Sequence, residues 1–179
     1  MFHRIFLTGY RAVGKSSVAG ALARRLHWKS FDTDPLIEAE AGKTIAKIFE
    51  EDGEPDFRDR EAAALRLVLR ETDNLVLATG GGLPLREESR RLMKESGIVF
   101  WLTASVETIA KRMKLDVTTN DRRPSLTGRS PVQEIEDVLK SRTPVYQEGA
   151  HFVIDTDNKT LEEVVNEILL LYQNCSAKQ

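Results

Sequence analysis

Cysteine occurs once, at Cys175, so no internal disulfide can form. Lying near the end of the last helical pattern, that thiol reads as buried or inert rather than as a nucleophile. Long apolar runs are absent as well. The longest stretch, Ile98 to Leu102, is far too short to cross a bilayer. Charge of either sign is not in excess: 26 basic side chains face 28 acidic ones, which gives no footing to a nucleic-acid or membrane partner. No internal repeat and no low-complexity linker marks a domain boundary. The first strand pattern begins almost at residue 1, so no signal peptide is expected before it. These absences leave a chain of 179 residues, 41% apolar and 30% charged. That is enough for one well-buried core and short for two. The expectation is a single domain over residues 1–179, cytoplasmic and monomeric.

What the chain does contain is Gly9-Tyr10-Arg11-Ala12-Val13-Gly14-Lys15-Ser16, which fits the nucleotide phosphate-binding loop Gly-x4-Gly-Lys-Ser/Thr. With glycine at about 7% of residues, chance should produce the pattern in roughly one chain of this size in a couple of hundred. Context sharpens it: the apolar run Ile5-Phe6-Leu7 precedes it, and Val18, Ala19, Leu22, Ala23 and Leu26 follow at helical spacing. Backbone N–H groups of residues 12–17 (Ala12, Val13, Gly14, Lys15, Ser16 and Ser17) would curl round a phosphate at the positive end of that helix. Lys15 would bridge the β- and γ-phosphates, and the Ser16 hydroxyl would sit on a magnesium ion.

Strand patterns at residues 3–8, about 29–33, 75–79, 97–102 and 151–155 alternate with helical ones. The alternation predicts an α/β fold: a doubly wound, five-stranded parallel sheet flanked by helices. Helices are expected at about 59–70, at 84–96 starting on Pro84, at about 131–148, and at 160–173 with a Thr160/Glu163 capping box. Ligands of such sheets bind beyond the carboxyl ends of the strands. There the sequence places the phosphate loop, Asp32-Thr33-Asp34, Thr79-Gly80-Gly81-Gly82 and Asp155-Thr156-Asp157.

The third strand ends in glycines without an acid, so Asp32 is the candidate to complete a magnesium shell with Ser16. Asp34 would face the same way if strand geometry persisted, and could then accept a proton from an attacking hydroxyl. Alternatively Asp34-Pro35 simply begins the next helix, Asp as its cap and Pro as its first residue. Arg58, Arg123 and Arg142 suit a carboxylate grip or a transferred phosphoryl group, although singly each is the kind of arginine that sits solvated on a surface. The polar stretch Asp116–Ser130, with Arg122, Arg123, Pro124, Gly128 and Arg129, has the length and composition of a mobile lid. Three consecutive glycines after a buried strand suit a close backbone approach to a ligand.

In combination these segments resemble shikimate kinase, a family of phosphate-loop kinases in the nucleoside-monophosphate-kinase-like group. The resemblance runs over nearly the whole chain. It is carried by Gly9–Ser16, Asp32-Thr33-Asp34, Gly42–Phe49, Gly53–Glu61, Ala78–Gly82, Arg123-Pro124, and Arg142 with Tyr146. It implies ATP- and Mg2+-dependent phosphorylation of the 3-hydroxyl of shikimate, on the way to chorismate and the aromatic amino acids. Carried over by position, Asp34, Arg58, Glu61, Gly80, Gly81, Gly82 and Arg142 resemble the acceptor site, with substrate-binding helices at about 33–61. Arg123 resembles a lid arginine that meets ATP, in a lid of about 113–130, and Arg112 resembles an arginine beside the adenine. Lys15, Asp34 and Arg123 would be the catalytic groups. The lid between Arg112 and Arg123 is longer than is common in the family, and Ser125 replaces the usual apolar residue after Arg-Pro. A gluconate- or nucleoside-type kinase and a nucleotide-binding switch are the competing readings.

Overall fold

The computed structural model describes residues 3–115 and 130–176. Strands β1 (Arg4–Thr8), β2 (Lys29–Asp32), β3 (Leu75–Ala78), β4 (Ile98–Thr103) and β5 (Phe152–Asp155) form one sheet, ordered β2-β3-β1-β4-β5 and parallel throughout. Each falls within a residue or so of its expected position. Around the sheet lie α1 (Lys15–Leu26), α2 (Thr33–Ala41), α3 (Ile45–Glu51), α4 (Gly53–Glu71), α5 (Glu87–Ser96), α6 (Val106–Leu115), α7 (Pro131–Gly149) and α8 (Leu161–Ser176).

The pleat divides the apolar residues between two faces. Ile5 and Leu7 of β1, Val76 of β3 and Ile98, Phe100 and Leu102 of β4 pack under α1 and α8 with Leu22, Val165 and Ile168. Phe6, Leu75, Leu77 and Val99 face the other way, onto Leu65 and Val68 of α4 and Met93 of α5. Both faces are covered, which is why the central strands read as continuous apolar runs rather than alternating ones. A third, small cluster of Ile37, Ile45, Ile48, Phe57 and Ala64 holds α2, α3 and α4 together beside the sheet.

Three local expectations change. The strand pattern at 29–33 ends at Asp32, because Asp32 caps α2 by accepting from the Asp34 N–H at 3.1 Å. Thr33 and Asp34 are therefore the first helical turn, not a continued strand. Helix α4 begins at Gly53, six residues before its expected start, so Arg58 lies within it. Gly53, Glu54, Pro55 and Asp56 look like a loop by composition, yet proline and acidic residues are well suited to a first turn. Pro84 belongs to a short 3-10 turn, Leu83–Leu85, ahead of α5. The capping box forms as expected: Thr160 N–H donates to Glu163 Oε2 at 2.7 Å and Glu163 N–H to Thr160 Oγ1 at 3.2 Å. Of the expected lid, residues 113–115 complete α6 and Ser130 caps α7. Residues 116–129, with Arg122, Arg123 and Ser125, lie outside the described residues.

Candidate active site

The chain leaves β1 toward β2 and leaves β3 toward β4, in opposite directions across the sheet. A crevice therefore opens at the carboxyl ends of this adjacent pair. Both glycine segments of the sequence lie there.

The β1 side is the phosphate loop. Gly9 has φ 132°, where a side chain is rarely tolerated, and a Cβ there would strike the carbonyl oxygen of Leu102. Gly14, at φ 97°, is the residue before α1. Lys15 folds back along the loop, its Nζ donating to Gly9 O at 3.0 Å and Tyr10 O at 2.6 Å. That ties the ammonium group to the first two residues of the loop. Ser16 Oγ donates to Asp32 Oδ2 at 2.5 Å, joining the start of α1 to the end of β2. Two hard oxygens from a hydroxyl and a carboxylate fit a magnesium ion, which takes few protein ligands and completes its octahedron with phosphate and water. Among the described residues, no group of three or more His, Cys, Asp or Glu offers an alternative cage.

The β3 side is the glycine turn. Thr79 anchors it, bonding Leu7 O through both its N–H and its hydroxyl at 3.0 Å. Gly80 N–H donates to Thr33 Oγ1 at 2.7 Å, which brings the first turn of α2, and so Asp34, against the turn. Gly81 O accepts from Tyr146 Oη at 2.6 Å and from Arg142 Nη1 at 3.2 Å, both on α7. A Cβ on Gly81 would lie only 3.3 Å from Gly9 O, so the two glycine segments are in contact. A Cβ on Gly82 would overlap the Arg58 guanidinium.

Arg58 is held on two edges. Nη1 donates to Glu61 Oε2 at 2.6 Å, and Glu61 is 1% exposed. On the solvent side Nε and Nη2 share Glu54 Oε1 at 3.2 and 2.7 Å. The ring of Phe57 lies 5.4 Å away. Burial weakens the cation's hydration, but the Glu61 and Glu54 carboxylates outweigh this and raise its pKa above the ordinary arginine value.

Behind the loop, Arg112 Nη1 donates to Thr156 Oγ1 at 3.0 Å and Nη2 to Thr156 O at 2.9 Å; Nη1 also reaches Ala12 O at 3.5 Å. A cleft of about 140 Å³ opens beside it, lined by Val13, Gly14, Ser17, Arg112, Thr156 and Lys159 among others. Asp157 borders this region, accepting from the Ser105 N–H at 2.9 Å. Burial opposes its charge, but hydrogen bonds from Thr108 and Ser105, with help from Arg112, hold the carboxyl below the usual range.

Thus the expected residues other than Arg123 gather at one sheet edge. Sequence reasoning missed three participants. Thr33 has no role of its own in the Asp32-Thr33-Asp34 segment as read from sequence, yet its hydroxyl fixes Gly80. Glu54 read as part of a loop. Glu134, 1% exposed and bonded to Arg11 at 2.9 Å, reads in sequence as an ordinary acidic first turn of a helix; only the tertiary contact reveals it.

Comparison with known proteins returns one family over most of the chain. The family described as shikimate kinase matches residues 11–173. A shikimate kinase of Rhodopirellula baltica is 44% identical over 92% of this chain and 88% of its own length. One from Oleidesulfovibrio alaskensis is 44% identical over 85% and 87%. The solved structure of the Acinetobacter baumannii shikimate kinase in complex with shikimate superposes with a TM-score of 0.89 at 36% identity, covering 97% of this chain and 94% of that one.

Proposed function

The chain belongs to the shikimate kinase family, and we propose that it transfers the γ-phosphoryl group of ATP to the 3-hydroxyl of shikimate, giving shikimate 3-phosphate and ADP. The observation that carries the reading is the contact between the two glycine segments. Gly81 lies against Gly9 of the phosphate loop, with Arg142 on its carbonyl and Arg58 across Gly82. A donor phosphate and a carboxylated acceptor would then meet across one turn of backbone.

In this reading the amides of Ala12 to Ser17 hold the β- and γ-phosphates, and Lys15 spreads charge from the transferred group. Ser16 and Asp32 hold Mg2+, which would neutralise phosphate charge when bound. Arg112 and the Thr156 loop border the adenine. Arg58 and Arg142 grip the acceptor carboxylate, with Glu61 fixing Arg58 from the buried side. An acceptor carboxylate replaces Glu54 on the outer edge of Arg58. Asp34 is the proton acceptor or orienting group for the hydroxyl, and Arg123 closes over the phosphates from the lid at about 113–130. Alignment of donor and acceptor supplies much of the rate, and lid closure keeps out competing water. We take residues 1–179 as one kinase domain, with acceptor-binding helices at about 33–61. The lone cysteine fits a cytoplasmic setting, and we take the chain as a monomer; among the described residues no helix is long and apolar enough to cross a membrane.

The test is a coupled assay of ADP release with magnesium, offering shikimate, gluconate and nucleoside monophosphates in turn. Shikimate should be turned over by a wide margin. No turnover with shikimate sinks the reading, and ATP hydrolysis at the same rate with and without acceptor would point to a nucleotide switch.

A further inference from the structure

Ala12 is the strained point of the phosphate loop. Its φ of 61° places a residue with a Cβ in the left-handed region. For residues other than glycine that conformation costs roughly five- to thirtyfold in population. Gly9 and Gly14 take the loop's other positive-φ positions without that cost. The residue just before Ala12 is anchored elsewhere in the protein. Arg11 reaches the first turn of α7, where its Nη2 donates to Glu134 Oε1 at 2.9 Å. The side chains are 14% and 2% exposed, and the guanidinium lies 5.6 Å from the centroid of the Tyr10 ring, itself buried. The Arg11 Nε is buried and has no hydrogen-bond partner among the described residues. Stability is a weak reason to keep such a pair, because a buried ion pair often does no better than an apolar pair of the same volume. Position is a stronger reason. Two turns further along α7, Arg142 donates to Gly81 O, so one helix is fastened to both glycine segments.

We propose that Glu134 is a positioning residue for the nucleotide: by holding Arg11 it pins the phosphate loop with Ala12 in its left-handed turn, so that the loop amides are aimed before the phosphates arrive. The inference rests on reading the loop as the ATP grip and is independent of the acceptor. Two readouts test it: ADP affinity by calorimetry with magnesium present, and the KM values of ATP and shikimate. Glu134→Gln should weaken ADP binding and raise the ATP KM about five- to tenfold, with the shikimate KM moving about twofold or less. Combined with Ala12→Gly, the same Glu134 substitution should cost about twofold or less, since glycine takes a φ of 61° without an anchor. Because Glu134→Gln strands a buried guanidinium, the pair Arg11→Met with Glu134→Leu provides a second, charge-free version, expected to show the same loss and the same relief. ADP affinity unchanged in a folded variant overturns the proposal. So does an equal penalty with and without Ala12→Gly, or a matching rise in both KM values. A wild-type protein that binds ADP yet leaves shikimate untouched would defeat the acceptor assignment and leave this test intact.

Discussion

The two sides of the crevice are made of different material. On the proposed donor side the groups offered to a ligand are mainly backbone amides, and Lys15 folds back onto the loop itself, bonding Gly9 O and Tyr10 O, both within six residues. On the proposed acceptor side the groups are side chains from distant segments, Arg58 on α4 and Arg142 on α7, assembled around a glycine turn that supplies mainly space. A site built from backbone needs particular glycines at fixed spacing. A site built from side chains needs neighbours that fix long, flexible groups, and those neighbours can come from anywhere in the chain. The two sides should therefore fail differently when altered: the donor side in turnover and nucleotide affinity, the acceptor side in shikimate affinity.

The largest effect is expected at Lys15. Lys15→Met removes the cation proposed to stabilise the transferred phosphoryl group and should lower kcat by about two to three orders of magnitude. Thermal melting should stay close to wild type, since the side chain is only partly buried. Near-normal turnover would erase the distinction at its strongest point. Next comes Arg58→Ala. Losing charge-assisted hydrogen bonds to a carboxylate should raise the shikimate KM about ten- to a hundredfold. The ATP KM should change far less, and an unchanged shikimate KM would move the carboxylate grip elsewhere. Gly82→Ala comes third. Its Cβ would meet the Arg58 guanidinium, which can yield because it is the far end of a long side chain. A rise in shikimate KM of about three- to tenfold is expected, with kcat affected less. Equal damage to ATP and shikimate would show that the turn serves both sides alike.

The same contrast explains what could be read from sequence. The phosphate loop was legible because its chemistry is local: Gly9, Gly14, Lys15 and Ser16 are contiguous, between a strand and a helix that announce themselves by periodicity. The sheet was legible for a similar reason, since β3 and β4 are buried on both faces and read as unbroken apolar runs. Asp32 and Ser16 could be paired because the absence of an acid after β3 left little choice. The acceptor side was different. Without the family resemblance Arg58 is one arginine among many, and its place inside α4 was hidden by a glycine and a proline that usually signal a loop. Glu134 carries no pattern at all, and the bond that Thr33 makes is invisible in its motif, because their partners are 123 and 47 residues away. The strand rule that aligned Asp34 with Asp32 failed for a specific reason: the Asp32 carboxylate caps the next helix and ends the strand there.

The smallest expected effect is also the most discriminating between the two sides. Glu54 and Glu61 both bind Arg58, but Glu61 is buried, whereas the Glu54 side chain is 60% exposed. Removing a buried partner should loosen Arg58 and weaken shikimate binding. Glu54 acts in the opposite sense if it holds the edge that an acceptor carboxylate must take. An exposed pair of this kind contributes at most about 1 kcal/mol, so Glu54→Gln should lower the shikimate KM by about fivefold at most. Neutralising Glu54 also removes a negative charge from the path of an anionic acceptor, which acts in the same direction and should fade as salt is raised. The methyl ester of shikimate, which cannot compete as a carboxylate for Arg58, should gain little from the substitution. Measured side by side at high salt, where the long-range charge effect is screened, a fall in KM for the acid without a matching fall for the ester would mark Glu54 as a placeholder for the substrate. A rise in KM for the acid would instead make Glu54 a support for Arg58 like Glu61.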